Sequence, residues 1–75
     1  MALIENFEPG DIQRPAPQKP APAKLAVIEL GGETYLQIDT YGSSSREFPD
    51  KVSQSLRMGR DAALQLRDAI DKAFG

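Results

Sequence analysis

The chain has 75 residues, a formal net charge of −2, and neither cysteine nor histidine. That composition excludes disulfides, thiol nucleophiles, zinc sites of the Cys/His type and the commonest general base. A chain this short without staples is one small domain that often needs a second copy to complete its core, so a homodimer is expected.

The first segment in chain order is "ALIENFEPGDI" (residues 2–12), which carries Leu3, Ile4, Phe7 and Ile12 among Glu5, Glu8 and Asp11. It reads either as an acidic-hydrophobic segment that docks on a protein partner or as a frayed terminus. It has no basic flank or long apolar stretch, and no apolar run in the chain reaches the roughly 18 residues of a membrane span. A cytoplasmic protein without a membrane partner is therefore expected.

Residues 14–24, "RPAPQKPAPAK", hold Pro15, Pro17, Pro20 and Pro22. Proline fixes its own φ and pushes the preceding residue toward extended geometry, which predicts a solvated polyproline-II-like connection. A ligand for a proline-recognising domain is the sharper alternative. Residues 1–23 are accordingly expected as a disordered Pro/Ala-rich arm, and residues 24–75 as the folded domain.

Within that domain "KLAVIEL" (24–30) is apolar and rich in β-formers, and Gly31-Gly32 supplies hairpin turn chemistry. "TYLQIDTY" (34–41) alternates, with Thr34, Leu36, Ile38 and Thr40 on one face and Tyr35, Gln37, Asp39 and Tyr41 on the other. "GSSSREFPDK" (42–51) predicts a polar loop. "VSQSLRM" (52–58) predicts a third strand, with Val52, Gln54, Leu56 and Met58 on one side and Ser53, Ser55 and Arg57 on the other. From Gly59 the period becomes helical: Ala62, Ala63, Leu66, Ala69, Ile70, Ala73 and Phe74 form one apolar stripe. The expected fold is α+β: an antiparallel sheet of three to four strands, then one C-terminal helix packed on it, in a dimer.

Catalysis is not expected. Ser43, Ser44 and Ser45 have no base nearby to activate them, and no phosphate-cradling Gly-rich loop is present. The face of Tyr35, Gln37 and Tyr41, extended by Ser55 and Arg57, offers aromatic rings beside hydroxyls and a guanidinium, the elements of a single-strand stacking platform. The alternative is that these rings simply cover a sheet or a dimer interface. From residue 24 onward the chain has seven Lys or Arg against eight Asp or Glu.

Three pieces occur in a familiar order: Gly32-Glu33-Thr34-Tyr35-Leu36-Gln37-Ile38, then Ser55-Leu56-Arg57-Met58, then Leu66-Arg67-Asp68-Ala69-Ile70. That order resembles a repeat of the PUR family of purine-rich-element binding proteins. It is also similar to the single-stranded DNA-binding domain of the positive cofactor four (p15) coactivators and their bacterial relatives. Both belong to the Whirly-like group, whose members dimerise and bind single-stranded DNA or RNA on curved antiparallel sheets. Those units usually have four strands before the helix, which leaves "ALIENF" or the loop around Phe48 to supply the fourth.

The resemblance and the residue pattern together give the expected function, a small dimeric regulatory protein that binds single-stranded nucleic acid. Tyr35 and Tyr41 are expected to stack on bases, Gln37 and Ser55 to hydrogen-bond, and Arg46, Lys51 and Arg57 to meet phosphates. Leu66, Ile70 and Phe74 are expected to pack between two copies. No cofactor or metal is expected. The second reading is a protein-interaction adaptor on the same scaffold, docking through the sheet or through residues 2–12.

Overall fold

In the computed structural model, which describes residues 1–42 and 51–75, four strands form one sheet and a single helix follows. The strands are β1 (Ala2–Ile4), β2 (Ala23–Leu30), β3 (Glu33–Tyr41) and β4 (Val52–Met58), and the helix is α1 (Arg60–Phe74). Their order across the sheet is β1-β4-β3-β2.

The β2–β3 hairpin follows from its turn. Gly31 and Gly32 have φ of 60° and 80°, the pair of positive values that a two-residue turn needs to match the strand twist and that glycine adopts without a steric clash. The turn fixes the register: Leu30 opposite Glu33, Ile28 opposite Tyr35, Ala26 opposite Gln37 and Lys24 opposite Asp39. β3 then pairs antiparallel with β4, placing Leu36 opposite Met58, Gln37 opposite Arg57, Ile38 opposite Leu56 and Asp39 opposite Ser55.

The structure corrects the sequence reading in two places. The sheet is mixed, not wholly antiparallel. "ALIENF" supplies the fourth strand through Ala2–Ile4, and that strand runs parallel to β4. A three-residue strand carries no sign of its partner's direction; here the Ile4 carbonyl accepts the Gly59 N–H at 3.3 Å, which ties its end to the end of β4. The second correction is an irregularity at the far end of β4. Thr40 pairs with Gln54 but Tyr41 with Val52, so Ser53 is an extra residue and Val52 shares the face of Tyr41 rather than that of Leu56.

β1 and β2 lie at opposite edges of the sheet, so residues 5–22 carry the chain from one edge to the other. Every residue from Glu5 to Pro22 is exposed. Near one end, Gln65 grips Phe7: its Oε1 accepts the Phe7 N–H at 2.8 Å and its Nε2 donates to the Phe7 carbonyl at 3.2 Å. At the other end the Tyr41 N–H donates to the Pro22 carbonyl at 2.9 Å.

α1 is capped before Arg60 by Gly59, whose carbonyl accepts the Ala63 N–H at 3.0 Å, and after Phe74 by Gly75, whose N–H donates to the Asp71 carbonyl at 2.9 Å. Asp61 in the first turn and Lys72 in the last both suit the helix dipole. The helix lies on the face of Leu36 and Met58, and its main neighbours are β3 and β4. Among the described residues the buried apolar core is Met58 and Ala62. The radius of gyration is 14.4 Å, against about 11 Å for a compact domain of this length.

Candidate functional site

Alternation along three strands brings a row of polar and aromatic side chains onto the face opposite the helix. β3 contributes Tyr35, Gln37, Asp39 and Tyr41; register adds Lys24 from β2 and Ser55 and Arg57 from β4. These side chains bond to one another. Arg57 donates from Nε and Nη2 to Gln37 Oε1 at 2.9 and 2.7 Å. Gln37 passes the chain on, donating from Nε2 to Asp39 Oδ1 at 3.0 Å. Ser55 Oγ donates to the same Oδ1 at 2.6 Å, a short bond of the kind a carboxylate acceptor produces.

A cation closes each end of the row. The Arg57 guanidinium lies 5.9 Å from the Tyr35 ring centroid and the Lys24 ammonium 5.2 Å from that of Tyr41, both within cation–π reach. The network thus reads Tyr35, Arg57, Gln37, Asp39, Ser55, with Lys24 and Tyr41 beyond. The hydrogen bond from Ser55, then that from Gln37, hold the Asp39 carboxyl below its ordinary value, with smaller help from Arg57 and Lys24 and some opposition from burial.

Of the residues expected at this site, Tyr35, Gln37, Tyr41, Ser55 and Arg57 share the face. Lys51 is exposed just ahead of β4, beside Val52, Ser53 and Gly42. Arg46 lies outside the described residues, as do Ser43 to Ser45 and Phe48. Leu66, Ile70 and Phe74 are all on α1, away from this face. Leu66 is half-buried, while Ile70 and Phe74 are 47% and 88% exposed.

Lys24 is the member that sequence reasoning missed. Its signal was available: a two-residue Gly-Gly turn sets the hairpin register, and counting back from it places Lys24 across from Asp39. In the sequence Lys24 both ends the proline-rich stretch and opens "KLAVIEL", and neither position by itself assigns it a partner on the polar face.

Chemically, the face offers two rings about 20 Å apart, from six residues at strand rise. Between them lie amide, hydroxyl and carboxylate groups and a guanidinium. Two of the five guanidinium N–H groups are directed at Gln37, which leaves others for an incoming acceptor. Among the described residues no cluster of three or more His, Cys, Asp or Glu is placed to hold a metal ion, and no helix is long and apolar enough to cross a membrane. No protein-family model, curated protein or solved structure matches this chain.

Proposed function

We propose that this chain is a small homodimeric protein that binds single-stranded nucleic acid, DNA or RNA, on the sheet face opposite its helix, in a regulatory role. The observation that carries the reading is the pairing of Tyr35 with Arg57 and of Tyr41 with Lys24 on one face, with hydrogen-bonding groups between them. Aromatic rings accept any base by stacking, and nearby cations meet the backbone that runs past them. Asp39 has a use in this reading as well, since a carboxylate accepts from exocyclic amino groups of bases. The resemblance to PUR repeats and the p15 coactivators supports the same reading, in which Lys51 and Arg46, the latter outside the described residues, would also meet phosphates.

With few cations engaged, binding is expected to be weak and to depend little on salt. Titration of the protein with fluorescent single-stranded oligonucleotides at low salt tests the reading. Tyr35→Ala and Tyr41→Ala are each expected to cost about 1–3 kcal/mol of binding, the usual worth of one base–ring stack. Absence of binding, or binding indifferent to both substitutions, rejects it.

A second reading, a protein-interaction adaptor without nucleic acid, is favoured by one observation: the net charge is −2 and Asp39 stands at the centre of the face. Co-purification from cell extract with and without nuclease separates the two, because a partner retained after nuclease treatment is held by protein contacts alone.

A further inference from the structure

Two apolar surfaces of the described residues are left bare, and they match each other. The first is the helix-side face of β2. Because α1 lies chiefly over β3 and β4, Leu25 and Val27 stay 68% and 71% exposed. Beside them opens a groove of about 420 Å³ whose walls include Val27, Leu36, Met58, Ala63 and Leu64.

The second surface is the outer half of α1. Ala62 is buried and Ala63, Leu64 and Leu66 are half-buried, but every residue from Arg67 onward is exposed. The apolar stripe nevertheless continues through Ala69, Ile70, Ala73 and Phe74, at the spacing that keeps one helix face apolar.

We infer that these surfaces cover each other between two copies of the chain. The helix end of one protomer, with Ile70 and Phe74, lies over Leu25 and Val27 of its partner and fills the groove beside them. The two-fold axis repeats the contact. This inference rests on the two-copy part of the function proposed above and not on the nucleic acid.

Three features point to a second copy as the occupant. The surfaces agree in length: Ile70 to Phe74 spans about 6 Å of helix, and Leu25 to Val27 about 7 Å of strand. One charge on each is of opposite sign, since Arg67 borders the helix stripe, one turn before Asp71, and Glu29 continues the row of Leu25 and Val27. Finally, a stable pair of proteins buries roughly 800 Å² on each partner. A described core of Met58 and Ala62 leaves Leu25, Val27 and Leu56 on the sheet and Ile70 and Phe74 on the helix exposed for that contact.

The absence of cysteine makes cross-linking clean. Val27→Cys and Phe74→Cys are prepared separately, one with a mass tag, then mixed and oxidised, with Leu25→Cys and Ile70→Cys as a second pair. Each variant is first checked for native circular dichroism. The expected product is the mixed disulfide between β2 of one chain and the helix end of the other, in clear excess over either homodisulfide. A preponderance of homodisulfides, or none at all, in both pairs overturns the inference.

Light scattering without nucleic acid gives the second readout. The unmodified chain is expected at twice its mass, and Ile70→Asp with Phe74→Asp at the monomer mass. A monomeric unmodified chain, or a double variant that stays dimeric, overturns the inference. Loss of oligonucleotide binding by an intact, cross-linkable dimer counts against the nucleic-acid reading alone.

Discussion

Leu36 and Gln37 are neighbours on β3, but they belong to two faces whose chemistry and burial are at odds. On the helix side, Leu25, Val27, Leu36, Ile38, Leu56 and Met58 form an apolar row across three strands, yet Leu25, Val27 and Leu56 are exposed. On the other side, Tyr35, Gln37, Asp39, Ser55 and Arg57 are polar or amphipathic and all half-buried. The polar face is shielded by its own side chains, which bond to one another along the strands. On the apolar face the helix covers Met58, while Leu25, Val27 and Leu56 are left for something else. Polar side chains can satisfy each other within a single layer, whereas apolar ones need a second layer to leave water.

Substitutions on the two faces should therefore differ in kind. Met58→Ala on the helix side is expected to have the largest effect. Met58 is 2% exposed, and truncating a buried methionine costs about 2–5 kcal/mol. Urea denaturation followed by circular dichroism measures it, and a loss below 1 kcal/mol would mean that the helix does not seal that site.

Gln37→Ala on the outer face is expected to cost less, about 1 kcal/mol, although it deletes three hydrogen bonds, two from Arg57 and one to Asp39. Solvent can replace these partners at a half-buried surface, which it cannot do for the packing around Met58. Comparable losses for Gln37→Ala and Met58→Ala would abolish the distinction between the faces.

The smallest effect is a pH dependence. Asp39 has its carboxyl held below the ordinary 3.8, so near and below that value the unfolded chain binds more protons than the folded one. Its contribution to stability is then complete above about pH 4–5 and disappears as pH falls through the lowered folded value. Melting curves over that range should show a shallower acid loss for Asp39→Asn than for the unmodified chain. Equal slopes would mean that Ser55 and Gln37 do not hold the carboxylate in solution.

Much of this arrangement was legible in advance, and the reasons are local. Strict alternation in "TYLQIDTY" assigned Tyr35, Gln37, Asp39 and Tyr41 to one side, since successive strand residues must point opposite ways. The start and the apolar side of the helix followed from Gly59 and the stripe that begins after it. The direction of β1 did not follow, because a three-residue strand pairs equally well either way until its ends are placed. The extra residue at Ser53 was hidden for a related reason: the alternating pattern of "VSQSLRM" continues unbroken through a bulge that only the partner strand defines.

The amino-acid sequence by itself determined β2, β3, β4 and α1, the two faces of β3, the Gly31-Gly32 turn and, through that turn, the β2–β3 register. These depend on residues close together in the chain, where φ preferences and side-chain period act directly. The tertiary structure decided what lies side by side from distant positions: Arg57 against Gln37, Ser55 against Asp39, the parallel edge at β1, and a helix that covers Met58 but leaves Leu25 and Val27 open. Those outcomes depend on how strands and helix are placed against one another in space, and no local pattern encodes that placement.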